Sequence, residues 1–194
     1  MKILSLAIGI LLISTISTYA AETNFRQTSW GMSTEEVKAI EGENSQDLVD
    51  ETLVQTVLTY ERWVASSPVR VVYVFLDDKL VNSLYLFTDR HSENALYLKD
   101  YEKIHTILKK KYGTPSDEQE TWLNDSLKGR PDLRRTAIAT GQLKLVATWH
   151  TKSTSIEHAL HGDKYEITHG VTYKSLAHKP AVKEALDAQH QKDF

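Results

Sequence analysis

Three segments dense in β-branched and aromatic residues, 53–64, 69–76 and 80–87, are separated only by Ser66-Ser67-Pro68 and Asp77-Asp78. Separations this short cannot carry a parallel crossover, so the segments must pair as an antiparallel meander. In the middle one, alternation puts Val71, Tyr73 and Phe75 on one face and Val72, Val74 and Leu76 on the other. Both faces are apolar. Such a strand is central and covered on both sides, or it offers its second face to a partner.

Helical signals bracket this meander. Ser33 and Glu36 have capping-box spacing ahead of Val37 and Ile40, and Gly42 stops the short helix. Phe25 to Trp30 reads as a short opening strand. The longest predicted helix runs from about Glu93 to Tyr112. Its stripe of Leu98, Tyr101, Ile104, Leu108 and Tyr112 recurs at intervals of three and four, and Gly113 with Pro115 ends it. Beyond it, 118–124, 143–150, 154–161 and 165–174 read as strands, with a short helix over 133–139 and a polar helix over 181–190. The last strand pair reads as a hairpin around Gly162-Asp163.

The expected fold is therefore α+β, with two helix-plus-antiparallel-sheet halves forming a pseudo-repeat and the helices packed on one face of the sheet. The expected divisions are a signal peptide over 1–20, a first half over 21–90, a second over 91–178, and a polar C-terminal helix or tail over 179–194.

Residues 1–20 carry Lys2, an apolar run from Ile3 to Ile16, and small residues up to Ala20-Ala21. These are the three parts of a signal peptide, so the expected location is periplasmic or secreted, with no membrane span after cleavage. There is no cysteine among the 194 residues, which removes a disulfide framework, a thiolate metal site and a thiol nucleophile. A formal charge of −3 without a concentrated basic face argues against nucleic acid.

The run Trp30-Gly31-Met32-Ser33-Thr34-Glu35-Glu36-Val37 resembles the W-G-M-S-x-E-E-V opening of a group of small exported bacterial proteins. Phe75-Leu76-Asp77-Asp78-Lys79-Leu80 and Lys111-Tyr112-Gly113-Thr114-Pro115 extend the resemblance, as do Trp149, Thr154, Ile156, Tyr173 and Ser175. More distantly, the helix-then-sheet unit resembles the β-lactamase-inhibitor-protein fold and the small lipoprotein of the outer-membrane barrel assembly machinery. That resemblance implies protein binding without catalysis. The lipoprotein's anchoring cysteine is missing here.

Histidine is the reactive residue in surplus, with five of eight between His150 and His178. A turn at Gly162-Asp163 would pair His158 with Ile167 and Ile156 with His169, leaving both histidines on one face. Zinc needs three or four ligands, and no carboxylate shares that face of the hairpin. The expectation is no metal and no cofactor, with a metal-responsive binder at His158 and His169 as an alternative. Asp77-Asp78 reads as a turn before it reads as a carboxylate pair, and Ser33 as a helix cap before a nucleophile. The aromatic residues of the meander are the binding candidates: Trp63, Tyr73 and Tyr85. The function expected is binding of another protein or a small envelope ligand through the antiparallel sheet. A periplasmic hydrolase using histidine and carboxylates is the alternative.

Overall fold

Eight strands hydrogen-bond into one wholly antiparallel sheet in this computed structural model, which describes residues 23–42, 46–50, 55–123 and 127–192. The signal-peptide reading of 1–20 lies outside the described residues. In chain order the elements are α1 (Thr34–Glu41), β1 (Gln46–Asp50), β2 (Gln55–Val64), β3 (Ser67–Leu76) and β4 (Lys79–Phe87). Then come α2 (Asn94–Tyr112), β5 (Asp117–Trp122), α3 (Arg134–Ala139), β6 (Leu143–His150), β7 (Thr154–Asp163), β8 (Glu166–Ser175) and α4 (Lys179–Lys192). A 3-10 turn at Pro131–Leu133 leads into α3.

Across the sheet the order is β1-β2-β3-β4-β8-β7-β6-β5. Each half lays down four sequential strands, and the halves join where β4 pairs with β8, from Asn82 opposite Lys174 to Leu86 opposite Gly170. The α+β class is as the sequence predicts.

The helices follow their local signals. Ser33 caps α1 through its bond from the Glu36 amide, and Glu36 returns the bond to the Ser33 amide. In α2 the stripe is buried at Tyr101, Ile104 and Leu108, and Gly113 takes the positive φ of 84° that ends the helix. Val37 of α1 and Ile104 and Leu108 of α2 share a core with Leu58, Val71, Tyr73, Trp149 and Tyr173. Ala137 and Ile138 of α3 join Tyr101, Leu143, Leu145 and Leu160.

These three helices cover one sheet face. The fourth departs from the expectation that all helices share a face. A groove of about 470 Å³ separates Val182, Lys183 and Leu186 of α4 from Asn82, Ser155 and Lys174, whose side chains stand on the opposite face of the sheet.

Three further readings are corrected. Phe25 to Trp30 is a tight turn, not a strand: Phe25 bridges Thr28 and drops its ring between Tyr73, Tyr85 and Tyr173. β1 has no counterpart in the predicted strands. The β7–β8 turn falls at Lys164-Tyr165, both at positive φ, instead of Gly162-Asp163. His158 therefore lies opposite Val171, and His169 opposite Leu160. The slip is an even number of residues, so both histidines keep their shared face.

The motif residues do structural work. Gly31 and Met32 exchange backbone bonds with Leu80, and Asp78 accepts from both the amide and the hydroxyl of Thr34 at 2.9 and 2.8 Å. The Trp30 indole donates to Thr154, and Asn24 donates to Ser153, so the N-terminal turn fastens the first half to β7 and its preceding loop. The Trp149 indole donates to the Gly113 carbonyl at the end of α2.

Candidate functional site

The sheet has two unlike faces, and register assigns the paired residues to one or the other. Tyr60, Val71, Tyr85, Val171, His158 and Ala147 form a row on the helix-covered face. The adjacent row, on the open face, is Thr59, Val72, Leu84, Thr172, Glu157 and Thr148. Next to it run Glu61, Arg70, Leu86, Gly170, Ala159 and Val146.

The open face is aliphatic on β2, β3 and β4, where Val57, Val72, Val74, Leu84 and Leu86 are half-buried, and polar or small on β8 and β7, which present Thr172, Gly170, Glu157 and Ser155. Its margins carry both signs of charge, with Arg70 2.9 Å from Glu61 and Lys174 3.7 Å from Glu157.

The three predicted binding residues divide between these faces. Trp63 stands on the open face beside the β2–β3 turn and is 73% exposed. Tyr73 is fully buried on the covered face and Tyr85 packs there against Phe25, so neither can contact a partner on the open face. Burial pushes both phenols above their ordinary range.

The Tyr73 hydroxyl donates to Glu41, whose side chain is 4% exposed at the end of α1. Arg26 reaches the same carboxylate at 2.6 Å and Arg62 at 3.4 Å. Burial alone would raise the Glu41 carboxyl. The Tyr73 hydroxyl and the two guanidinium groups outweigh it and hold the group below the usual carboxylate range. This carboxylate ties the N-terminal turn, β2 and β3 to α1. Glu41→Ala should cost about 2 kcal/mol, less than a fully buried pair because water reaches both arginines. Urea denaturation checks it, and a loss below about 0.5 kcal/mol would reduce the cluster to a surface contact.

His158 and His169 do meet, but as partners to each other. Their Nε2 atoms are 2.9 Å apart, and the residues are 0% and 3% exposed. A tetrahedral zinc ion with Zn–N bonds of about 2.0–2.1 Å would hold its donors about 3.3 Å apart, so this spacing is that of a hydrogen bond. Tyr101 stacks on His158 at 4.1 Å and Phe87 on His169 at 4.2 Å. Burial, with the neighbouring imidazoles, lowers His158 to about 2, and burial lowers His169 to about 4. The pair is therefore neutral and structural. His105 of α2 packs beside it, 6.0 Å from His158 between ring centres, a third imidazole the strand pattern did not reveal.

The hydrolase alternative needs a hydroxyl, a histidine and a carboxylate in sequence. Ser175 lies 2.8 Å from His178 Nδ1, and Ser116 3.0 Å from His150 Nδ1. Among the described residues, neither histidine has a carboxylate partner. Ser175 also accepts from the His178 amide three residues on, the geometry of a turn. Among the described residues, one set of three metal-type donors is brought together elsewhere: Asp89, His91 and Asp100.

Comparisons with protein-family models, with curated proteins and with solved structures found no match.

Proposed function

We propose that this chain is a non-catalytic, exported binding protein that takes up a protein partner on its open sheet face. The observation that carries the reading is the aliphatic patch that β2, β3 and β4 present on the open face, Val57, Val72, Val74, Leu84 and Leu86, with no described helix packed over its middle. A desolvated apolar centre inside a polar rim of mixed sign is how protein interfaces are built. Trp63 adds an exposed indole at one corner, and aromatic anchors dominate binding energy at such surfaces.

The breadth of the patch favours a protein over a small envelope ligand. Small ligands need concave sites that bury most of their surface, and the grooves of about 300 and 470 Å³ that touch this face lie at its ends. Rim charges of both signs do not suit nucleic acid. Export rests on the character of residues 1–20. The expected mass of protein recovered from the periplasm or medium lacks them, and a mass that includes Met1 would withdraw this part of the reading.

Trp63→Ala tests the face. It should weaken the partner complex by about 2 kcal/mol or more, and leave the thermal midpoint within about a degree of the parent. Calorimetry of the complex and of the free protein measures both quantities. Intact affinity in the variant would remove Trp63 from the interface.

A further inference from the structure

The segment between β4 and α2 folds back onto the second turn of α2, and it brings three donors from two elements together. Asp89 and His91 come from the segment and Asp100 from the helix, and their ligand atoms all lie within 4.8 Å of one another. We propose that Asp89, His91 and Asp100 form a binding site for a divalent cation of the zinc class.

The donor set decides the class. An imidazole with two carboxylates suits zinc and its first-row neighbours, whereas magnesium and calcium prefer oxygen alone. Two ionised carboxylates and a neutral imidazole give the site a charge that a divalent ion neutralises. Three protein ligands leave a fourth position for water or a donor from another molecule.

The geometry requires little adjustment. Donors around tetrahedral zinc stand about 3.3–3.5 Å apart, so closure from the present spacing is about an ångström of side-chain rotation. His91 Nε2 is 2.6 Å from Asp100 Oδ2, hydrogen-bond spacing, so these two donors must move apart by somewhat less than an ångström to share an ion. Here the imidazole donates its proton to the carboxylate, and the cation would take the proton's place.

The imidazole is held ready. The Tyr97 hydroxyl accepts from the His91 amide at 3.0 Å, and the two rings meet edge-to-face at 4.7 Å. The amide bond fixes the His91 backbone and the ring contact limits rotation of the imidazole. The His91 and Asp100 side chains are 19% and 24% exposed, sheltered but open to an entering ion.

Asp89, His91 and Asp100 lie outside the β7–β8 hairpin, the segment whose donor count is too small for zinc. The site does not depend on the open face being an interface.

The test is calorimetric titration of zinc chloride into the full chain, purified without a polyhistidine tag and stripped with chelator. One equivalent should bind with micromolar or tighter affinity. His91→Ala and, separately, Asp89→Asn should each weaken it at least tenfold, while His150→Ala, at an exposed strand end, should leave it unchanged. Circular dichroism of each variant establishes that it is folded, and Asp89→Asn keeps the test decisive if His91→Ala is not. No binding at tens of micromolar, or binding unchanged in folded His91→Ala and Asp89→Asn, would overturn the site.

Discussion

Lowering the pH from 7 to 5 should remove about 4 kcal/mol of folding stability, because two histidines buried in the neutral form take up protons only in the unfolded chain. His158 and His169 are held neutral by burial, with folded values of about 2 and about 4. Their unfolded value is about 6.5. Folded values below the unfolded one mean that the unfolded chain binds more protons. The stability is present in full above pH 6.5 and is lost as pH falls toward the folded values. Each group contributes about 1.4 kcal/mol per pH unit in that window, or about 2 kcal/mol by pH 5.

His105 and His161 are also lowered by burial and act in the same direction. The charges around the pair are few: Asp100 raises His169, while His105 and His169 themselves lower His158. Urea titrations at pH 7, 6 and 5 measure the loss. A flat profile over that range would mean that the pair is hydrated or already charged at pH 7.

Gly162→Ala should cost about 3 kcal/mol, at the upper end for overpacking, because backbone cannot rotate out of the way. A β-carbon at Gly162 would stand 2.4 Å from the Ile138 carbonyl oxygen, 2.9 Å from that of Ala139 and 3.0 Å from the Ala139 α-carbon. The last turn of α3 rests directly on β7 there. The Tyr165 amide, just past the strand, donates to the Ala139 carbonyl. Either α3 lifts away or the hairpin shifts. Denaturant midpoints compare the two proteins, and a change under about 0.5 kcal/mol would mean that α3 is not seated as described.

The same glycine explains where the sequence misleads. Gly162-Asp163 has the composition of a hairpin turn, yet Gly162 is there for close backbone approach and the turn lies two residues on. A slip of even parity changed every partner but no face, so the meeting of His158 and His169 was legible while their direct bond was not. Helices α1 and α2 were legible because caps, stripe and terminal glycine are local. β1 was not: the short sequence Gln46-Asp47-Leu48-Val49-Asp50 becomes a strand by pairing with β2.

The split between Trp63 and Tyr73 depends on the β2–β3 register. A break read at Ser66-Ser67-Pro68 leaves that register open, whereas the turn at Ala65-Ser66 sets Trp63 opposite Pro68. The Asp89, His91 and Asp100 set was hidden for another reason. Its closeness comes from a loop folding back onto Tyr97, and no periodicity reports such a return.

Photo-cross-linking in the native cell envelope tests the binding face most directly. A benzophenone side chain is placed at Leu84 or Val72 in the middle of the open face, and at Glu102 on the exposed side of α2 as a comparison. The account predicts a discrete protein adduct from the two sheet positions and none from the helix, with the sheet adducts lost when Trp63→Ala is added. Adducts from Glu102 alone, or none from Leu84 and Val72 in folded protein, would contradict it.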